Sequence, residues 1–322
     1  MRKYVRNFSL MENSPYQGRH HFVKGKLPME KAMSLFLSHK DAEGLNESTM
    51  QMYREHFRYL LYYFDPEISV SDLTSDAVLG YVRWMKDEKG LSPVTINIRI
   101  RTLRTFLRWL EREGYLSEPL HERLTKVREP DTEIDVLTPR EIRKLLSVID
   151  TNRYVGFRDY VMICVLLDTM VRISELLKMK RSNVRGGSIR LDAQDTKVKR
   201  GRTVPVSDKT EKLLRDYIAE TNDFGRNELF LNYDGTPVKA NTWRKRLQEY
   251  ARDAGLEHKR IRPHLFRHTG AVLYLLNGGD PFSLRLILGH SDMSMVKRYI
   301  NMTEVDVKRQ HSAYSPLRDI RL

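Results

Sequence analysis

Cysteine is almost missing from this chain: Cys164 is the only one in 322 residues. One thiol cannot close an internal disulfide, so an oxidising compartment is not implied. Cys164 stands in the apolar run VMICVLL, where a small buried hydrophobe is expected. Long apolar runs are lacking too. No stretch reaches the roughly 18 consecutive apolar residues of a membrane span. The opening MRKYVRNFSLMENSPYQGRHHFVKGK has no apolar core of a secretory signal. A cytoplasmic protein with no membrane partner is expected. Internal repeats, low-complexity tracts and Asp/Glu/His clusters at metal spacing are absent, so no metal or other cofactor is expected. Acidic residues are in deficit: 42 against 56 basic ones give a net charge of +14. That excess favours a polyanionic partner, nucleic acid or an acidic membrane surface, although a basic protein without such a partner carries the same charge.

What is present is enough for two domains. Residues 1–27 contain Pro15, Gly18 and Gly25 and set six basic residues against Glu12 alone. They read as a flexible basic arm, and an ordinary frayed terminus looks the same. From Pro28 a helical period appears, with Met29, Ala32, Met33, Phe36 and Leu37 on one stripe and a stop at Gly44. Ser48 is placed to cap a second helix, whose stripe is Tyr53, Phe57, Leu60, Leu61 and Phe64. A third starts near Thr74 and buries Ala77, Val78, Tyr81, Val82 and Met85 before Gly90. A fourth, from Pro93 to Glu113, carries Ile96, Ile100, Leu103, Leu107 and Leu110 on one face and Arg101, Arg104, Arg108 and Arg112 on another. An arginine row at helical spacing can track a phosphate backbone, and a solvated charged face gives the same pattern. Residues 28–118 therefore read as a helical domain with a basic surface.

Residues 119–137 are charged, hold Pro119 and Pro130 and lack a sustained apolar period, so they read as a linker. Thr138, Pro139 and Glu141 then combine an N-cap, a first-turn proline and a capping box, which opens a second domain over 138–302. Inside it Tyr160–Leu167 is nearly all apolar and must be buried. VRISELLKMK follows, a short helix with Arg172 at its start. The period then changes to two: Ser188–Leu191 and Arg202–Val206 read as short strands joined by the basic stretch DTKVKRGR. Helices resume at Asp208–Glu220 and Asn241–Ala254, with Ser207 and Asn241 as candidate caps. The expected fold is mainly α with a small antiparallel β-sheet.

The stretch His264–Tyr299 concentrates the chemistry. His264 and Arg267 share a helix face. Asn277-Gly278-Gly279 ends that helix, Asp280-Pro281 opens the next, and it runs to Leu288-Gly289-His290. Two imidazoles, a guanidinium and the Tyr299 phenol beside helix ends suit a phosphate.

Six elements in order resemble the tyrosine recombinases, the phage integrase family. They are Arg172 in VRISELL, Lys197 in TKVKRGRTVPV, His264 and Arg267 in HLFRH, His290 in LGH, and Tyr299 in VKRYI, nine residues after that histidine. LSPVTINIRIRTLRTFLRWLEREG is similar to the last helices of the family's helical, SAM-like core-binding domain. The resemblance spans roughly residues 28–302. It implies a core-site DNA-binding domain at 28–118 and an α+β catalytic domain at 138–302. It further implies double-stranded DNA with paired recombination sites as substrate and a homo-tetramer on that DNA, with which accessory DNA-bending proteins are compatible. Residues 303–322 would be an inter-protomer docking segment with Val305, Leu317 and Ile320 as contacts, or a tail packed on its own domain.

The implied chemistry accounts for the residue types. Tyr299, the nucleophile, would keep the energy of the cut bond as a 3′-phosphotyrosyl ester, and strands would be exchanged through a Holliday junction. Arg172 and Arg267 offer planar forks that match phosphate. His290 would donate a further hydrogen bond, His264 would take the phenol proton or hydrogen-bond the phosphate, and Lys197 would protonate the leaving oxygen. Lys199, Arg200 and Arg202 in the same hairpin are assigned to DNA binding, Glu175 to orienting the catalytic shell, and His268 to structure. Two positions depart from the family pattern: Met170 stands where a glycine is usual, and Glu118-Pro119 replaces Asn-Pro. The expected activity is that of an integrase or excision enzyme of a mobile element, or a resolvase. A type IB topoisomerase or a catalytically silent DNA-binding protein are the alternatives.

Overall fold

The computed structural model describes residues 26–130, 134–196, 200–289 and 292–302, with His311 and Ser315. The chain divides into two compact units, Met1–Thr132 and Glu133–Leu322. The first unit holds α1 (Met29–Ala42), α2 (Glu47–Leu60), α3 (Ser75–Asp87), α4 (Pro93–Arg112) and the short α5 (Leu120–Arg123). Their apolar stripes meet in one core in which Phe36 touches Tyr53, Phe57, Phe106 and Trp109 edge-on or tilted. Such aromatic pairs add to plain area burial. The α2 cap is Asn46, not Ser48: the Asn46 side chain accepts from the Thr49 backbone N–H and the Ser48 hydroxyl. Both residues are capping types, and Asn46 alone has the extended backbone a cap needs.

The stretch 119–137 carries structure at both ends. Leu120 and Leu124 are buried in the first core. The buried amide of Asn97 on α4 donates to the Val127 carbonyl at 2.8 Å and accepts from the Val127 N–H at 2.9 Å. Leu137 is buried in the second unit, where its N–H donates to the Thr269 hydroxyl at 2.9 Å.

The second unit opens with α6 (Pro139–Ser147) under the expected Thr138 capping box. It continues with α7 (Tyr154–Thr169) and α8 (Ile173–Leu176), a three-stranded sheet, then α9 (Asp208–Glu220), α10 (Ala240–Asp253), α11 (Pro263–Leu276), α12 (Pro281–Leu288) and α13 (Ser294–Met302). The sheet is an antiparallel meander of β1 (Val184–Arg185), β2 (Ser188–Leu191) and β3 (Arg202–Pro205). Gly186 and Gly187 both have positive φ, 43° and 70°, as a two-residue hairpin turn requires. Pairing of Ile189 with Val204 buries both, and pairing of Leu191 with Arg202 places that arginine at the strand's start. Two details depart from expectation. Cys164 is half-buried, and Asn241 lies inside α10, accepting from Arg244, while Lys239 occupies the cap position without a side-chain bond.

Helices α7 and α11 form the spine of this unit. Gly270 on α11 sits so close to α7 that a Cβ there would lie 2.3 Å from the Leu167 carbonyl oxygen and 2.8 Å from Met170 Cγ. Gly270→Ala is therefore expected to destabilise the protein by about 1–3 kcal/mol, read as a fall in the urea midpoint. An unchanged midpoint would show that the two helices can part without cost. Among the described residues no helix is long and apolar enough to cross a membrane.

Candidate active site

The loop between α7 and α8 sets the first arginine. Helix α7 ends on Met170, whose φ of 53° is the only positive value among described non-glycine residues. This is the position where glycine is usual in the resembled family. Met170 makes a left-handed turn there, with a side chain that normally disfavours it. Two residues on, Arg172 caps α8 from an extended backbone and is partly exposed. Its N–H donates to Glu175 Oε2 at 2.9 Å and its Nη1 to Glu175 Oε1 at 3.1 Å.

Glu175 is itself buried and holds a second arginine. Arg202 donates from Nη1 to Oε1 at 3.0 Å and from Nη2 to Oε2 at 2.9 Å, while its Nε donates to the Ile287 carbonyl at 3.0 Å. Burial pushes the Glu175 pKa up, but the Arg202 bonds, the Arg172 N–H and both positive charges outweigh it, and the pKa stays below the usual carboxylate value. Arg202 thus differs from its DNA-binding assignment: it lies inside the site, braced between α8 and α12. The basic stretch DTKVKRGR has the look of a solvated loop, and the carboxylate that holds Arg202 lies 27 residues away.

Arg267 on α11 is almost fully buried. Its Nη1 donates to the Met170 carbonyl at 2.5 Å and its Nη2 to the Leu288 carbonyl at 2.9 Å. One guanidinium therefore ties the loop before Arg172 to the end of α12, two residues before position 290. Burial and the nearby Arg172 charge lower its pKa to about 10, so it remains a cation at neutral pH. Gly289, at φ 63°, closes α12, and a Cβ there would lie 2.9 Å from Arg202 Cζ.

Tyr299 on α13 is fully buried among Met170, Ala271, Val272, Leu275, Leu284, Leu288 and Val296. Its hydroxyl lies 2.7 Å from Nδ1 of His268. Burial raises the phenol's pKa, against the Arg267 and Arg298 charges. Burial, then His264, Arg267, Arg262 and Arg298, pushes the His268 imidazole down to about 4. His264 stands one turn earlier, an exposed side chain on the otherwise buried first turn of α11. Partial desolvation of its ring, followed by Arg267, Arg262, Arg172 and Arg244, lowers its pKa. Beside it opens a cleft of about 530 Å³ whose rim carries Arg244, Lys245, Arg260 and Arg262. These four were not singled out in the sequence, where they are scattered over two helix starts without a stripe.

The low His268 pKa makes stability depend on pH. Between pH 6.5 and about 4 the unfolded chain binds a proton that the folded imidazole refuses. Stability should fall as pH drops through that window, by up to about 3 kcal/mol. Urea midpoints at about pH 7.5 and about pH 5 check this, and His268→Asn should remove that part of the slope.

Lys197, Lys199 and His290 lie outside the described residues, as do Val305, Leu317 and Ile320. Arg200 is exposed. In the first unit Arg101, Arg108 and Arg112 are exposed along α4, whereas Arg104 donates to the Leu124 carbonyl.

The sequence profile of the phage integrase family matches residues 135–305, and that of the phage integrase SAM-like domain matches residues 31–125. Among curated proteins, the tyrosine recombinase XerD of Listeria innocua serovar 6a is 28% identical over 289 residues, covering 85% of this chain and 94% of that protein. XerD of Oceanobacillus iheyensis is 28% identical over 284 residues, with the same coverage. Among solved structures, the Tn1549 transposon integrase in complex with a circular intermediate DNA aligns with a TM-score of 0.72 at 19% identity, over 85% of this chain and 94% of that one. A lambda integrase tetramer bound to a Holliday junction aligns with a TM-score of 0.70 at 16% identity, over 83% and 79%.

Proposed function

This chain belongs to the phage integrase family and is a tyrosine-type site-specific recombinase, and from that premise we propose that it cuts and rejoins paired DNA sites through a covalent bond to Tyr299. The phenol oxygen attacks the scissile phosphorus and the bond to the 5′-oxygen breaks. The 3′-phosphotyrosyl ester keeps the bond energy, so rejoining needs no external supply. Arg172 and Arg267 receive the charge that grows on the non-bridging oxygens. His264 and His290 hydrogen-bond the same phosphate, and Lys197 protonates the leaving 5′-oxygen.

The observation that carries this reading is the position of Arg267. Its bonds to Met170 and Leu288 draw the Arg172 turn, the end of α12 and α11 to one point. Its charge acts on Tyr299 and Arg172 alike. Glu175 holds Arg172 in place, and the guanidinium charges of Arg172 and Arg267 beside the phenol would take the anion. The duplex backbone would run over the Arg244, Lys245, Arg260 and Arg262 rim, with Arg101, Arg108 and Arg112 of the first unit on further phosphates. Arg200, with Lys199 in the same hairpin, adds to that surface.

Four protomers would exchange strands two at a time through a Holliday junction, with residues 303–322 linking neighbours. Accessory proteins that bend DNA fit such an assembly, and the work is that of a cytoplasmic enzyme. The same chemistry serves integration, excision or resolution. A nicked suicide duplex carrying candidate sites tests the reading. An SDS-resistant adduct whose peptide map places the DNA on Tyr299 is expected, together with joint products when two sites are supplied. An adduct with relaxation of supercoils but no joint product would instead assign a topoisomerase.

A further inference from the structure

His268 is the group that touches the reacting atom. Its Nδ1 lies 2.7 Å from the Tyr299 hydroxyl. His264 sits one turn away on the same helix, with the two rings 6.3 Å apart and inclined by 29°. The rings divide the space: His264 faces the cationic cleft, where a phosphate would enter, and His268 faces the buried phenol. With a phenol pKa raised above 10 and an imidazole at about 4, Tyr299 is protonated and His268 neutral at pH 7. With the ring's proton on Nε2, Tyr299 donates and Nδ1 accepts, and this is the tautomer that can take up the phenol proton.

We propose that His268, rather than His264, is the proton acceptor for Tyr299, and that a phosphate bound at Arg172 and Arg267 switches it on. The proposal rests on Tyr299 being the nucleophile. As Tyr299 Oη bonds to phosphorus and the P–O5′ bond breaks, the Oη proton passes to His268 Nδ1, giving an imidazolium. The leaving O5′ takes a proton from Lys197. In rejoining, the 5′-hydroxyl attacks phosphorus, its proton returns to Lys197, and His268 gives its proton back to the departing phenolate.

The switch follows from the charges around the ring. After burial, what keeps His268 from accepting a proton is the set His264, Arg262 and Arg267 on or beside α11 and Arg298 on α13. The three arginines are cations at neutral pH. A phosphodiester brings a negative charge among these groups and offsets them, which raises the basicity of His268. Without DNA the phenol stays neutral and buried, and the nucleophile is inert. With DNA bound, the same hydrogen bond becomes the path of the proton.

The test is single-turnover cleavage of a nicked suicide duplex by the full chain. His268→Asn keeps a hydrogen-bond acceptor but cannot take up a proton. It should slow cleavage by about 100-fold or more with DNA affinity unchanged. Replacing Tyr299 by a fluorinated tyrosine of lower phenol pKa should restore at least about tenfold of the loss in His268→Asn, because a more acidic phenol needs less help. A 5′-bridging sulfur, which leaves without a proton, should not restore it. No rescue by the fluorinated residue would reduce His268 to a packing role. Rescue in His264→Asn but not in His268→Asn would move the acceptor to His264.

Should His268→Asn fail to fold, nitrogen NMR of His268 in Tyr299→Phe, free and on a duplex, reads the switch directly. A rise of about one pKa unit on DNA binding is expected, and no rise overturns the proposal. An adduct mapped to a residue other than 299 would sink the nucleophile reading itself, a result separate from all of these.

Discussion

Tyr299→Phe is expected to bind DNA with the affinity of the parent protein and to give no SDS-resistant adduct. The substitution removes one oxygen. The ring keeps its place among Met170, Ala271, Val272, Leu275, Leu284, Leu288 and Val296, so the apolar contribution of the site is retained. What is lost in stability is the bond to His268 Nδ1, worth about 1 kcal/mol and small beside a whole domain's stability. What is lost in chemistry is everything, because no phenylalanine atom can bond to phosphorus. The phosphate is still met by Arg172 and Arg267, which explains the retained affinity. A suicide duplex read on an SDS gel, beside a gel-shift titration, separates the two quantities. Undiminished adduct in the variant would place the nucleophile on another of the chain's tyrosines. Loss of binding in parallel with the adduct would mean that the phenol serves the fold or the interface.

Why some of this was legible in the sequence and some was not depends on the range of each interaction. The four main helices of the first unit are written as local apolar stripes, and the buried faces follow them closely, with Trp84, Phe106 and Trp109 added. The Thr138 capping box involves neighbours three residues apart, so it too could be read directly. The segment after Pro119 could not, because its order comes from Asn97 reaching 30 residues ahead to Val127 rather than from a period of its own. Strand β1, at two residues, is too short to display alternation. At the site, the residue types were legible from motif and spacing, but the pairings were not. Arg202 meets Glu175 and Ile287 across folds of the chain, and nothing in a run of basic residues marks it as turning inward. His268 looks like a structural neighbour of Arg267 until α13 brings the Tyr299 hydroxyl to within 2.7 Å of it.

Arg267→Ala should be the most damaging single change outside the nucleophile, and Arg267→Lys should separate its two tasks. In the parent, two guanidinium nitrogens satisfy two buried carbonyls, of Met170 and of Leu288, at once. Alanine leaves both without a donor, at about 1–3 kcal/mol each, and opens a void where a nearly fully buried side chain stood. The left-handed turn at Met170 would lose its restraint, and with it the placement of Arg172. Lysine keeps a positive charge and can reach one carbonyl, so most of the fold should survive. It cannot hold both carbonyls and present a planar fork to phosphate. Cleavage by Arg267→Lys is therefore expected to fall by about 10²–10³-fold in single turnover, the range for loss of one preorganised donor to a charged transition state. The urea midpoint should fall less for lysine than for alanine. A lysine variant that cleaves at the parent rate would show that charge alone is needed at this point. An alanine variant as stable as the parent would show that water replaces the guanidinium at both carbonyls, and that Met170 holds its left-handed turn unaided.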